Sequence, residues 1–380
     1  MIHSNNILYI ILLYNITIYY NMGINKNLFL KSIFNELFTI RKIINKFIIE
    51  RIENKLYINN NIFSKNFIPE NIKNYIIENK NINSIKLKLH IDNIDIHIIF
   101  HNFNNKYILD NFINSNIDKI KILFLFFMKY NGNSCLKNMK VNIFLTNFKK
   151  KLPKNNNDII SINNVNSGYS TIGCNSETEI IIYRKEEWFK VLIHELFHNL
   201  NFDFSTYNIE RSKKLLQENF GVKSEYKFFE TYCETFSRIL NVLIISFLKS
   251  SKNDSYNIHY NNFYKYFNNS IKLERIHSLK QANKILKLFD NFKEYREDSE
   301  VFCYYVLTAC LINDYESFIT WCINNNNNNI LKFNIQNNNI YNFASLIINE
   351  CINKNFNKIL NYNEKKDDTV TYMSLRMTII

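Results

Sequence analysis

The alternation of apolar and polar positions divides the chain into a strand-bearing middle and helical flanks. Residues 28–52 carry apolar side chains at helical spacing with charges between them, and the chain up to residue 80 reads as mostly helical. From residue 85 the period shortens to two. Ile85-Lys86-Leu87-Lys88-Leu89-His90-Ile91 alternates, and so does the run from Ile94 to Phe100. Asp92-Asn93 between them supplies the turn of a β-hairpin. Residues 107–130 read as a long helix whose second half, 120–128, is apolar enough for a core. A strand is expected over 139–148, followed by a polar, basic loop to residue 157. Gly168 and Gly173 then fall close together, which marks special backbone geometry. Residues 179–183 read as a further strand. After residue 250 helices are expected over about 262–295, 298–324 and 341–361, with a surface Asn tract at 324–329.

The stretch from Trp188 to Leu200 contains His194-Glu195-Leu196-Phe197-His198. Trp188, Leu192, Leu196, Phe197 and Leu200 make an apolar stripe at helical spacing, and Glu186 and Glu187 suit the start of a helix. On that helix the two imidazoles share a face one turn apart and can hold one Zn²⁺ from the same side. Glu195 then stands beside the metal as a general base. Zinc in a hydrolase needs a third protein ligand, with water in the fourth place. The metzincin continuation would require Gly at Asn201 and His at Phe204, so it is excluded.

The helix opening at Glu230-Thr231-Tyr232-Cys233-Glu234 and running to about residue 248 puts Glu230 and Glu234 on one face. Alone, such a pair reads as a solvated helix face; with the upstream motif it becomes a ligand source. Glu230 ranks first, Glu234 second, and Glu218, twenty residues after His198, third. His90, His97 and His101 on the hairpin read as solvated side chains rather than a metal cluster. An oxyanion donor is sought among Tyr226, Tyr232, His259 and His277. Tyr226 is placed first because it lies just before the ligand helix. Asn199 and Asp203 are expected to shape the end of the motif helix.

Composition changes the picture little. Gly (5) and Pro (2) are scarce while Asn, Ile and Lys abound, as an AT-rich genome such as that of a large DNA virus or a parasite would write. At 46% hydrophobic and 21% charged, the chain is globular. The net charge of +13 is spread, with short clusters only at Lys149–Lys151 and Lys213-Lys214. A solvated surface is therefore expected, with no specific nucleic-acid partner. Seven cysteines, an odd number without a C-x-x-C, point to free thiols in a reducing, intracellular and cytoplasmic setting, with host cytoplasm or a virion as its viral form. The apolar stretch 7–20 is shorter than the roughly 20 residues of a span and lacks a basic lead, so no stable membrane span is expected. Residues 1–21, ahead of Met22, read as an upstream extension. No Gly-rich phosphate loop or nucleophile elbow occurs.

The order of helix, strands, short β-ribbon and H-E-x-x-H helix resembles the N-terminal half of a zincin catalytic domain. The run Phe228-Phe229-Glu230-x-x-x-Glu234-Thr-Phe-x-Arg resembles the ligand helix of gluzincins of the anthrax-lethal-factor type. The resemblance covers about 188–204 and 225–242, and the spacing between the motifs is shorter here. It implies an α+β fold: an N-terminal helical segment (1–80), a zincin-like subdomain with a mixed sheet and the active-site helix (81–205), and a helical C-terminal subdomain carrying the third ligand (206–380). It implies a zinc metalloendopeptidase acting on peptide or protein substrates, with His194, His198 and Glu230 on Zn²⁺. Glu234 would orient a ligand histidine, and 165–183 would contain the ledge that pairs with extended substrate. Two other readings stand beside it: a catalytically inactive zincin-fold binding or virion structural protein, and a basic nucleic-acid-binding protein.

Overall fold

A computed structural model describes residues 25–53, 67–79, 82–131, 135–153, 158–250, 255–288, 294–327, 329–362 and 373–380. The apolar stretch 7–20 and the extension 1–21 lie outside the described residues. The fold is α+β, as expected: a six-stranded mixed sheet with a mostly helical C-terminal half.

Helix α1 covers residues 25–43. Strand β1 (Glu50–Glu53) follows, then α2 (Glu70–Glu78), β2 (Asn83–Ile91) and β3 (Ile94–Asn102). The helical reading of 28–52 is corrected at its end, because Glu50–Glu53 pairs antiparallel with β2. Four residues on a sheet edge carry too little period of their own to announce a strand; the β2 edge decides their conformation. The hairpin forms in the register Ile91↔Ile94 to Ile85↔Phe100, with Asp92 at φ 53° in its turn. Asp tolerates that left-handed conformation better than most residues.

Helix α3 (Lys106–Tyr130) carries the chain from β3 to the parallel strand β4 (Asn138–Phe144), so this unit is a βαβ crossover. The side chain of Asn105 caps α3 by accepting from Ile108 N. Its second half is buried from Ile122 to Met128. A short strand β5 (Ile160–Ser161) and one-turn helix α4 (Ile162–Val165) lead into β6 (Gly168–Ser170) and β7 (Glu177–Ile182). β7 lies parallel to β4, and β6 lies antiparallel to β7 at the rim of the sheet order β1-β2-β3-β4-β7-β6. β7 is covered on both faces. Ile180 and Ile182 face the main core, while Ile181 and Tyr183 pack with Ile68, Ile72 and Ile76 of α2 and its lead-in. Hence its uninterrupted isoleucines.

Helices α5 (Trp188–Asn199), α6 (Glu210–Phe220), α7 (Phe229–Ser250) and α8 (Tyr256–Leu286) follow. β8 (Glu297–Asp298) pairs with β5. A π-helical turn, Phe302–Leu307, continues into α9 (Thr308–Asn313), then α10 (Tyr315–Asn325), α11 (Asn339–Ile348), a second π-helical turn and α12 (Phe356–Leu360). One buried cluster runs through all of these parts. Phe34 of α1, for example, packs edge-on against Phe247 of α7 and His259 of α8.

The C-terminal segment 373–380 is built into this core. Leu375, Met377 and Thr378 are buried, and Leu152 N and Leu375 N donate across to Met373 O and Lys150 O. Cys135 and Cys174 form a disulfide with Cα atoms 5.6 Å apart, which corrects the expectation of free thiols throughout. The other five cysteines are free and buried. Among the described residues no helix is long and apolar enough to cross a membrane.

Candidate metal centre

Helix α5 is buried along its whole length, wedged between the sheet and α7. It begins after Glu187, which sits at φ 61°. The carboxylates of Glu186 and Glu187 do not serve the first turn, as the sequence had implied. Glu186 accepts from Lys150 N at 2.9 Å, and Glu187 accepts from Thr378 N at 2.6 Å and pairs with Lys150 Nζ at 3.2 Å. Edge strand β6 presses on the middle of α5. A Cβ on Gly168 would lie 2.8 Å from Ile181 O, 3.0 Å from Val191 Cγ1 and 3.3 Å from Glu195 Oε1, so only glycine permits this approach. Gly173, at φ 94°, turns the chain between β6 and β7.

The i, i+4 spacings on two facing helices interleave. His194 and His198 of α5 meet Glu230 and Glu234 of α7. The Nε2 atoms of the histidines are 3.1 Å apart, and Oε2 of Glu230 is 3.1 Å from each. Three donor atoms at the corners of a near-equilateral triangle match one face of a tetrahedron around zinc. With bonds of 2.0–2.1 Å its edges would be roughly 3.3 Å. The electrostatics suit a cation. Burial works against charging either imidazole, yet Glu230 and Glu234 beside His194, and Cys233, Glu230 and Asp203 beside His198, raise both above the ordinary histidine value. Burial also works against Glu230, but the two histidines hold its carboxyl far below the usual carboxylate range.

The other ring nitrogen of each histidine meets a carboxylate, as a close contact at His194 and a hydrogen bond at His198. His194 Nδ1 faces Glu234 Oε2 at 3.1 Å, and Glu234 in turn accepts two bonds of 2.9 Å from Lys190 Nζ. His198 Nδ1 donates to Asp203 Oδ2, whose other oxygen accepts from Ser205 Oγ at 2.9 Å. In metal sites such partners fix the tautomer and orient the coordinating nitrogen. A second group, His198, Asp203 and Cys233, also clusters. Its Nδ1 and Oδ2 atoms are only 2.5 Å apart, closer than two ligands of one ion stand, and burial pushes the Cys233 thiol well up. It is a hydrogen-bonded brace.

The remaining sequence candidates go elsewhere. Glu218 is exposed on α6 and pairs with Lys214. The Tyr226 hydroxyl is buried, donating to Val222 O and accepting from Val222 N. Tyr232 donates to Leu331 O, His259 reaches Phe247 O, and His277 reaches Arg376 O. On the hairpin, His90 is exposed and bonds Asp95, but His101 is buried between Ser84 and Asn142, which corrects its reading as a solvated side chain. Asn199 accepts from Thr178 Oγ1 and donates to Thr171 O, tying α5 to the β6–β7 ribbon.

Tyr304, which the sequence did not single out, stands at the site. It lies in the π-helical turn, its ring centroid 6.0 Å from that of His194, and its hydroxyl makes no hydrogen bond among the described residues. π-Turns often mark functional positions, but Phe302-Cys303-Tyr304-Tyr305-Val306-Leu307 reads in sequence as ordinary core helix. Tyr304, Glu195, His194, Gly168 and Met377 line a narrow cleft of about 40 Å³. Burial raises the Glu195 carboxyl above the usual range, opposed by the two imidazoles. No protein-family model, curated protein or solved structure matches this chain.

Proposed function

We propose that the chain is a zinc-dependent metallopeptidase of gluzincin type. The observation that carries this reading is the 3.1 Å triangle of His194, His198 and Glu230, with Glu195 beside it. Zn²⁺ held by those three residues would supply Lewis acidity and a water acidic enough to lose its proton near neutral pH.

The other roles fall to the chain itself. β6 has a free edge among the described strands, and it runs beside Glu195, so an extended peptide can add there through main-chain hydrogen bonds. Glu195 takes the proton of the attacking water and passes it to the leaving amine. Its raised pKa suits a group that must both accept and release. Tyr304, with an unengaged hydroxyl, replaces Tyr226 as donor to the developing oxyanion. Glu234 and Asp203 keep the two imidazoles aimed. The Cys135–Cys174 disulfide favours a compartment that does not reduce it, rather than the cytoplasm inferred from the cysteine count.

Elemental analysis of purified protein, together with cleavage of a peptide library by wild type and Glu195→Gln, tests the reading. About one zinc per chain and cleavage lost in Glu195→Gln are expected. Cleavage that persists in Glu195→Gln, or protein that takes up no zinc, would sink it. Bound zinc without cleavage would leave a zincin-fold binding protein instead.

A further inference from the structure

A second opening, of about 540 Å³, adjoins the cleft, and Lys150 lines both. The C-terminal segment separates them. Met377 turns to the cleft, while Ser374, Arg376 and Ile379 face the larger groove. The groove has an apolar lining that water reaches: Leu273, Ile276 and Ile379 are 52%, 44% and 48% exposed. Around it stand Lys149, Lys151 and Arg376, none of which forms an ion pair among the described residues, and Arg376 Nε is buried without a partner. Among the described residues the one carboxylate in the lining, Glu186, accepts from the backbone N–H of Lys150.

Apolar surface and unpaired cations in one concavity call for a ligand with both complements. We propose that this groove binds an acidic polypeptide segment bearing bulky apolar side chains. Carboxylates would pair with Lys149, Lys151 and Arg376, and an aliphatic or aromatic side chain would cover Leu273, Ile276 and Ile379. A nucleic acid fits less well, since the most exposed apolar lining is aliphatic and, among the described residues, Tyr362 and His277 are the ring-bearing side chains there, too few to stack a run of successive bases. The inference does not depend on the metal centre, because none of the groove's ligand-facing residues belongs to it.

The test uses the full chain carrying Glu195→Gln, so that no peptide is cut, both zinc-loaded and metal-stripped. Fluorescence anisotropy is read with a labelled decapeptide of alternating Glu and Leu. Binding is expected in both forms, weakening as salt rises. The exposed double variant Lys149→Glu/Lys151→Glu should weaken it by about tenfold or more, and Leu273→Asp should do so independently. Circular dichroism confirms that these surface variants stay folded. A Lys-for-Glu peptide should not bind, and oligoglutamate should bind more weakly than the mixed peptide. Unchanged binding in the double variant would overturn the proposal. So would a single-stranded oligonucleotide that binds as tightly and competes for the same groove.

Discussion

Lys190 Nζ donates to both carboxylate oxygens of Glu234 at 2.9 Å, with neither side chain more than 3% exposed. Lys190 lies one turn before His194 on α5, so the stripe Lys190, His194, His198 meshes with Glu234 and Glu230 of α7. Negative and positive groups alternate across the helix interface, and the lysine anchors the carboxylate that braces His194.

Lys190→Met should therefore act on metal binding as well as folding. It leaves Glu234 a buried charge without its cation, at a cost of about 3–5 kcal/mol. It also loosens His194, for a roughly 10–100-fold loss of zinc affinity. Asp203→Asn should lower zinc affinity by a similar factor through His198. Thermal melts with and without chelator, and competition with a zinc-binding dye, read both effects.

Tyr304→Phe and Tyr226→Phe separate the two tyrosines. Loss of an oxyanion donor should reduce kcat by roughly 10²–10³-fold with KM nearly unchanged. Tyr226→Phe should leave kcat alone and cost about 1 kcal/mol, the worth of its bonds to Val222. Steady-state kinetics on one peptide substrate decides. Equal loss in both variants would remove Tyr304 from the mechanism.

Gly168→Ala places a methyl group where Ile181 O, Val191 and Glu195 already crowd. β6 must move away from α5, with an expected cost of about 1–3 kcal/mol. Because β6 is the proposed substrate ledge, kcat/KM should fall while zinc content stays constant. Denaturation and activity measured on one preparation check both.

Burial pushes the Glu297 carboxyl up to about 7, despite bonds from Ser224, Tyr295 and the Phe302 N–H. The folded state thus holds a proton that the unfolded chain, titrating near 4.5, has already released. Stability should fall by about 3 kcal/mol as pH rises from about 4.5 through 7 and level off above. Glu297→Gln should flatten that slope in urea titrations; an unaltered slope would assign it to other groups.

The parts legible in the sequence are those that one helix fixes alone. The i, i+4 pairs His194/His198 and Glu230/Glu234 depend on nothing but helical period, the hairpin follows from alternation, and the α+β class is what the resemblance implies. The rest depends on distant chain. Asp203 reaches His198 only because the chain turns at Asn201, φ 55°. Tyr304 arrives from a π-helical turn that has no periodic signature. β1 takes its conformation from β2, and pairing of Cys135 with Cys174 needs two loops brought together.

The sulfur of Met377 receives both Lys150 and Lys190, 227 and 187 positions away along the chain. The Thr378 N–H closes on Glu187 from 191 positions away. Contacts of such separation carry a loop-closure cost that slows folding. A ribosome that has made every candidate zinc ligand has therefore still not made the segment that seats the lysine behind them. Synthesis itself delays the protein's competence, and a nascent chain stopped near residue 372 would carry the whole motif without the wall that holds it in place.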